Sequence, residues 1–147
     1  MSHMKISTRG RYALKIMMDL ATSPAGEFVS LKAISERQQV SMKYLEQIIA
    51  LLSRAGMLES SRGKSGGYRL AKAPSEYTAG DILRVAEGSL APIKSVETKC
   101  SNSENCSTFA FWEGLNRAIN DYIDSTTLAD LALREKVTGD EKVRCEK

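Results

Sequence analysis

Apolar residues recur with helical spacing in six stretches of this chain, most of them introduced by a hydroxyl residue suited to capping. Ala13, Ile16, Met17 and Leu20 share one side of a first helix, which Ser7 or Thr8 caps and which runs to about Ala21. At that spacing the methionines read as core filler, not as cofactor ligands. Thr22-Ser-Pro-Ala-Gly26 is a turn. Ser30 opens a short second helix through Leu31, Ala33 and Ile34, ending near Gln39. Ser41 opens a third, from Met42 to Ala55, with Leu45, Ile48, Ile49 and Leu52 as its buried stripe and Gly56 as its stop.

The pattern then changes. Met57 to Ser61 predicts a strand, Arg62-Gly-Lys-Ser-Gly-Gly67 a glycine-rich turn, and Tyr68-Arg-Leu70 the returning strand. Three helices and a hairpin within about 65 residues predict a winged helix-turn-helix: a mainly α fold with a small β-hairpin wing. Thr78-Ala-Gly-Asp81 is a capping-box-like start for a helix through Ile82, Leu83, Val85 and Ala86. A loop from Gly88 to Asn105 leads to Cys106, and a longer helix is expected from about Ser107 to Ile123. Phe109, Trp112, Leu115, Ile119 and Tyr122 give that helix a broad stripe. The winged unit already accounts for its own apolar faces, so the stripe points to a partner helix and a homodimer. Ser125 or Thr126 caps a last short helix through Leu128 and Leu131, followed by a polar, frayed tail. The expected division is therefore a leader at 1–3, a DNA-binding domain at 4–87, a sensor loop at 88–106, dimerisation and C-terminal helices at 107–133, and a tail at 134–147.

Composition narrows the function. The chain has 147 residues, 42% of them hydrophobic and 27% charged, which favours one domain with appendages. It has no run of 18 apolar residues and no signal-peptide pattern, so a soluble, cytoplasmic protein without membrane contact is expected. The one histidine is His3, in a Ser2-His3-Met4 leader that reads like a remnant of tag removal. A chain starting at Met4 has no histidine, which removes a histidine-based triad, a histidine general base and histidine-ligated zinc. The sequence reads as a non-enzyme. The net charge of +3 hides an asymmetry: residues 1–72 hold 12 Lys and Arg against 5 Asp and Glu, whereas residues 73–147 hold 9 against 13. The first half, at +7, suits a polyanion.

In a winged helix-turn-helix the third helix enters the major groove. Its buried stripe leaves Ser41, Lys43, Glu46, Gln47, Ala50 and Arg54 outside or at the edge. Gln47 can pair bidentately with adenine, Glu46 can accept from cytosine N4, and Lys43 can reach guanine or a phosphate. Ser41 and Tyr44 suit backbone phosphates. At the wing, Arg62 can enter a narrow minor groove, and Gly66 and Gly67 keep bulky side chains out of the way. Lys64 and Arg69 add phosphate contacts, as do Arg9 and Arg11 at the start of the first helix. The plainer readings are a solvated helix face and a hairpin that needs glycine for positive φ; the second leaves the surrounding charge unexplained. No G-x-x-x-x-G-K-[ST] phosphate loop is present.

With KISTRGRYAL, AISERQQVSMKYLEQII, LLSRAGMLESSRGKSGGYRLAK and TAGDILRVAEG in one order, the chain resembles the iron–sulphur cluster regulators, bacterial winged helix-turn-helix transcription factors that include IscR-, NsrR- and CymR-type proteins. The resemblance covers roughly Met4 to Leu133. It implies a homodimeric regulator, in the main a repressor, on a semi-palindromic operator of iron–sulphur, cysteine or redox-stress genes. It also implies that the residues matching Ser41, Lys43, Tyr44, Glu46 and Gln47 lie on the recognition helix and that Arg62 reaches the minor groove. The sensor loop departs from the pattern. Cluster-binding members carry three cysteines there, whereas this chain has Cys100 and Cys106, with Cys145 far off in the tail. Phe109 stands where IscR-like members have a histidine, and Arg11 where NsrR-like members supply an aspartate. Two ligands per chain do not complete an iron–sulphur site. Cys145 folding back, a cluster shared between two chains, or an oxygen ligand would complete it; the alternatives are a thiol sensor or cysteines without a role, as in a cluster-free CymR-like repressor. A competing reading keeps the winged fold but gives its surface to a protein partner such as a metabolic enzyme.

Overall fold

Five helix starts are closed by a hydroxyl side chain accepting a hydrogen bond from the backbone two or three residues on, which satisfies one of the N–H groups that a helix leaves unpaired. Ser7 Oγ accepts from Gly10 N (3.1 Å), Ser30 Oγ from Ala33 N (3.1 Å), Ser41 Oγ from Tyr44 N (3.2 Å), Thr78 Oγ1 from Asp81 N (3.0 Å) and Thr127 Oγ1 from Asp130 N (3.1 Å). In the computed structural model, which describes residues 6–64, 66–91 and 108–138, these caps open α1 (Thr8–Thr22), α2 (Leu31–Gln38), α3 (Met42–Arg54), α4 (Ala79–Glu87) and α6 (Leu128–Thr138). The long helix α5 is Phe109–Ser125, and strands β1 (Leu58–Ser61) and β2 (Gly67–Leu70) form an antiparallel hairpin with Leu58 opposite Leu70 and Ser61 opposite Gly67. A mainly α winged helix-turn-helix with a small hairpin is thus the observed fold.

The last helix starts later and runs further than its sequence suggests. Ser125 Oγ and Thr126 Oγ1 both donate to Tyr122 O at the end of α5, which leaves Thr127 to cap α6. The helix continues to Thr138, past the expected start of the tail at residue 134, by way of Arg134, Glu135 and Lys136, good helix formers with no apolar period to announce them. It also returns to the winged unit. Leu128 is fully buried in the common core with Ile16, Met17, Ile34, Leu45, Ile48, Leu52 and Ile82. Ala79 N donates to Thr126 O (2.8 Å) and Leu128 N to Tyr77 O (2.9 Å), pinning the start of α6 beside α4.

The turn between α2 and α3 is Gln39, Val40 and Ser41. Gln39 has φ 53°, the one positive value among the described non-glycine residues, and Val40 is buried behind it. Arg37 and Gln38, at the end of α2, converge on Asp19 of α1, whose side chain is only 4% exposed. Arg37 donates through Nε (3.1 Å) and Nη2 (2.5 Å), and Gln38 through Nε2 (2.8 Å), so the buried carboxylate is fully engaged. A charge in that position is tolerable only with such partners.

The wing is held at its base by three devices. Tyr77, buried between the strand ends, donates to Met57 O (2.8 Å) and accepts from Lys72 N (3.1 Å); burial pushes its phenol above the ordinary value. Tyr68 exchanges two 2.8 Å backbone bonds with Val29, which turns the hairpin into a three-segment sheet. Gly67 makes that approach possible, since a Cβ there would lie 2.2 Å from Val29 O, and one on Gly66 would lie 2.4 Å from Ser61 O. Neither glycine has a positive φ; Gly63 (φ 107°) does, at the tip.

Helix α5 leans on α4 through Arg84, which donates to Asp124 through both terminal nitrogens (2.7 and 2.9 Å) and to Asn120 Oδ1 (2.9 Å). The Arg84 hydrogen bonds hold the Asp124 carboxyl below its usual value. A group depressed in the folded state stabilises above its unfolded pKa, and the contribution disappears as pH falls through the folded value. Both side chains are more than a third exposed, so the effect is small. Asp124→Asn is expected to lower the melting temperature slightly at neutral pH, with the gap to the parent closing below about pH 4; thermal melts across that range check it.

Candidate nucleic-acid interface

Helix α3 buries Leu45, Ile48, Ile49 and Leu52, and its other side is bare. Ser41, Met42, Lys43, Glu46, Gln47 and Arg54 are exposed there, with Ala50 half-buried. Lys43, Glu46, Gln47, Ala50, Leu51 and Arg54 line one shallow depression of about 440 Å³, and Arg9 from α1 completes it. The Arg9 side chain is held in place by its Nε, which donates to Ala86 O (3.1 Å) at the end of α4. Three cations around one carboxylate give this depression a net positive lining, with an amide at Gln47 able to read a base edge.

Around this face the other expected residues take distinct positions. Tyr44 is half-buried, its ring edge-on to Tyr12 at 5.9 Å, and Lys15 Nζ lies 5.1 Å from the Tyr12 ring. Arg11 is exposed in the first turn of α1, whose cap residue Ser7 meets Glu87: Ser7 N and Oγ donate to Glu87 Oε1 (2.7 and 2.5 Å). Arg62 and Lys64 are exposed at the wing tip. Gly66 and Gly67 are only partly exposed, and the close approaches described above account for both as backbone spacers. Arg69 is not at the tip. It pairs with Glu59 (2.8 Å), donates to Gly26 O (3.0 Å) and stacks 4.3 Å from the centre of the Phe28 ring.

On α5 no residue is buried within the chain. Phe109, Trp112, Leu115 and Ile119 are half-exposed, Tyr122 is 61% exposed, and Phe111, at 63%, is the most exposed large apolar side chain among the described residues. Phe111, Leu115, Ala118 and Tyr122 recur at a 4-3-4 spacing, a narrower seam than the stripe read from the sequence, which passed over Phe111 in favour of its neighbours. The 3-3-4-3 series mixes that seam with the side turned to α4, because a helix meeting two surfaces carries two stripes.

Cys100, Cys106 and Cys145 lie outside the described residues. Among the described residues no group of three or more His, Cys, Asp or Glu is placed to hold a metal ion, and no helix is long and apolar enough to cross a membrane.

Residues 6–134 match the Rrf2 family, described as "Iron-dependent Transcriptional regulator". Among similar proteins, the transcriptional regulator CymR of Bacillus subtilis is 43% identical over 129 residues, covering 88% of this chain and 90% of that protein. The regulator IscR of Erwinia tasmaniensis is 34% identical over 135 residues, covering 91% and 82%. The solved structure of B. subtilis CymR, described as the global cysteine regulator, superposes with a TM-score of 0.78 at 41% identity, covering 88% of this chain and 97% of that one. Such relatives are regulators and not enzymes, and they favour DNA binding over a winged module that serves only a protein partner. With its winged helix-turn-helix and a basic depression on the outer side of the second of the paired helices, the chain belongs to the Rrf2 family of DNA-binding transcriptional regulators.

Proposed function

We propose that the chain acts in the cytoplasm as a homodimeric repressor on a semi-palindromic operator of cysteine or sulphur genes. The depression formed by Arg9, Lys43, Glu46, Gln47 and Arg54 carries the DNA half of this reading, because it joins a positive charge to an amide and a carboxylate on a helix whose inner side is locked. In it, Gln47 and Glu46 read base edges, whereas Lys43, Arg9 and Arg54 hold phosphates, with Arg11, Ser41 and Tyr44 doing so around it. Ser41 uses its oxygen as the cap, which leaves the hydroxyl proton to donate. Arg62 enters the minor groove and Lys64 supports it. The regulated genes are inferred from likeness to the B. subtilis cysteine regulator.

The dimer half rests on α5, which has no fully buried residue within its own chain and offers Phe111, Leu115, Ala118 and Tyr122 along one line. Two such helices packed along that line would cover both seams. The sensor side rests on donor chemistry. Cys100 and Cys106 are the two thiols before α5, Phe109 at its start has no ligating atom, and Arg11 is a cation. That set falls short of four cluster ligands within one chain. The chain therefore acts as a cluster-free repressor whose signal reaches the two thiols.

Gln47→Ala and Arg62→Ala are each expected to reduce operator preference by roughly tenfold while leaving the protein folded and dimeric. Lys43→Ala and Arg11→Ala are expected to weaken all duplexes alike and to reduce the salt slope by about 0.9 each. Binding titrations at several salt concentrations separate the two effects; full operator preference in both of the first variants would refute the reading residues. Phe111→Glu is expected to convert the dimer to a folded monomer in sedimentation velocity. Anaerobic incubation with iron and sulphide is expected to leave no iron–sulphur absorption, and a stoichiometric coloured cluster would overturn the cluster-free reading.

A further inference from the structure

Arg69 is the one cation of the wing whose guanidinium is engaged on its edge and on its face. Nε meets Glu59 Oε2, Nη1 meets the Gly26 carbonyl, and the plane lies over Phe28. These anchors stand on both flanks of β2: Glu59 faces Arg69 across the hairpin on β1, and Gly26 and Phe28 belong to the turn after α1. One side chain therefore spans three segments of backbone. A cation already paired with a carboxylate gives little to a phosphate, since the charge it would neutralise with is taken.

The wing needs such a brace. Its strands are four residues each, and its tip carries glycine at positions 63, 66 and 67. An isolated hairpin of that size is marginal in water. The Val29–Tyr68 bridge fastens β2 to the body at one residue, and Tyr77 ties the strand ends at Met57 and Lys72. Arg69 adds a further fastening on β2 itself, one residue along from the bridge. Only a planar fork can hydrogen-bond along an edge and stack at once, so lysine would keep the charge and lose the brace.

We propose that Arg69 is a positioning residue, not a phosphate contact: with Glu59, Phe28 and Gly26 it sets the angle at which Arg62 and Lys64 approach the minor groove. This rests on the operator-binding reading above. The experiment begins with the duplex that the full-length protein selects from a randomised pool, followed by base-pair substitutions under the wing and under α3, with melting curves for every variant. Arg69→Ala and Arg69→Lys are both expected to lose roughly tenfold of the discrimination at wing base pairs. Discrimination under α3 and the salt slope should stay at the parent values. A loss of stability alone would weaken apparent binding to every duplex by the same factor and leave both kinds of discrimination at the parent ratio, and so would count against the proposal. Phe28→Leu, which removes no charge, is expected to reproduce the wing-specific loss, and Glu59→Gln to give part of it. Near-parental discrimination in Arg69→Lys would overturn the proposal, as would a salt slope reduced by about 0.9 in Arg69→Ala. So would uniformly tighter binding by Glu59→Gln, which would mark Arg69 as a phosphate contact held back by its carboxylate. A parent protein that selected no duplex over the random pool would instead bring down the operator-binding reading, and this inference with it.

Discussion

A helix that reads a groove can do so only if it cannot roll. In α3 that condition is met by Leu45, Ile48, Ile49 and Leu52, all buried against the neighbouring helices, each worth on the order of 1.5–3 kcal/mol relative to exposure. One residue along a helix is about 100° of rotation. A roll of that size would carry Glu46 or Gln47 towards the core, where a carboxylate or amide without partners is heavily penalised. The identity of the outward side chains is therefore the other half of the packing constraint. The Asp19 junction extends it to α2: because Arg37 and Gln38 both close on one buried carboxylate, α2 and α1 keep the floor on which α3 rests.

Helix α4 plays a quieter part. Its last two residues reach the beginning of the chain, Ala86 O accepting from Arg9 and Glu87 from Ser7. The Glu87 carboxylate is poorly placed for the dipole of its own helix and well placed for that of α1. One turn earlier, Arg84 holds α5. Within four residues, α4 thus touches the depression over α3, the first turn of α1 and the long outer helix.

Much of this was legible in the sequence because it depends on local chemistry. The caps at Ser7, Ser30, Ser41 and Thr78 follow from hydroxyls placed before apolar periods, and the hairpin follows from a change of period around a glycine-rich turn. What was hidden depends on distant partners. Gly66 and Gly67 look like a flexible tip, and only the approach of Val29 and Ser61 shows that they are spacers. Arg69 looks like one more cation until Phe28 and Glu59 are beside it. Leu128 looks like part of an appended helix, yet it fills the core of the winged unit, because its backbone N–H donates to Tyr77 O and brings it back. The seam on α5 was blurred for want of knowing which of its sides α4 takes.

The place where α5 is gripped has a mechanical meaning. Asn120, Ile123 and Asp124 meet α4 near one end of a 17-residue helix, and Gly80 permits the closeness, since a Cβ there would sit 2.2 Å from Asp124 Oδ1. The other end, at Phe109, lies about 20 Å from that grip at 1.5 Å per residue. A tilt of about 5° at the grip therefore sweeps the far end through roughly 2 Å, the length of a lever arm times its angle. In a pair of chains joined along α5, the same tilt would act in reverse on the reading heads, whose separation has to match the repeat of the double helix, about 34 Å per turn. A small-residue contact at the short end of the lever would then govern whether both heads fit the DNA at once.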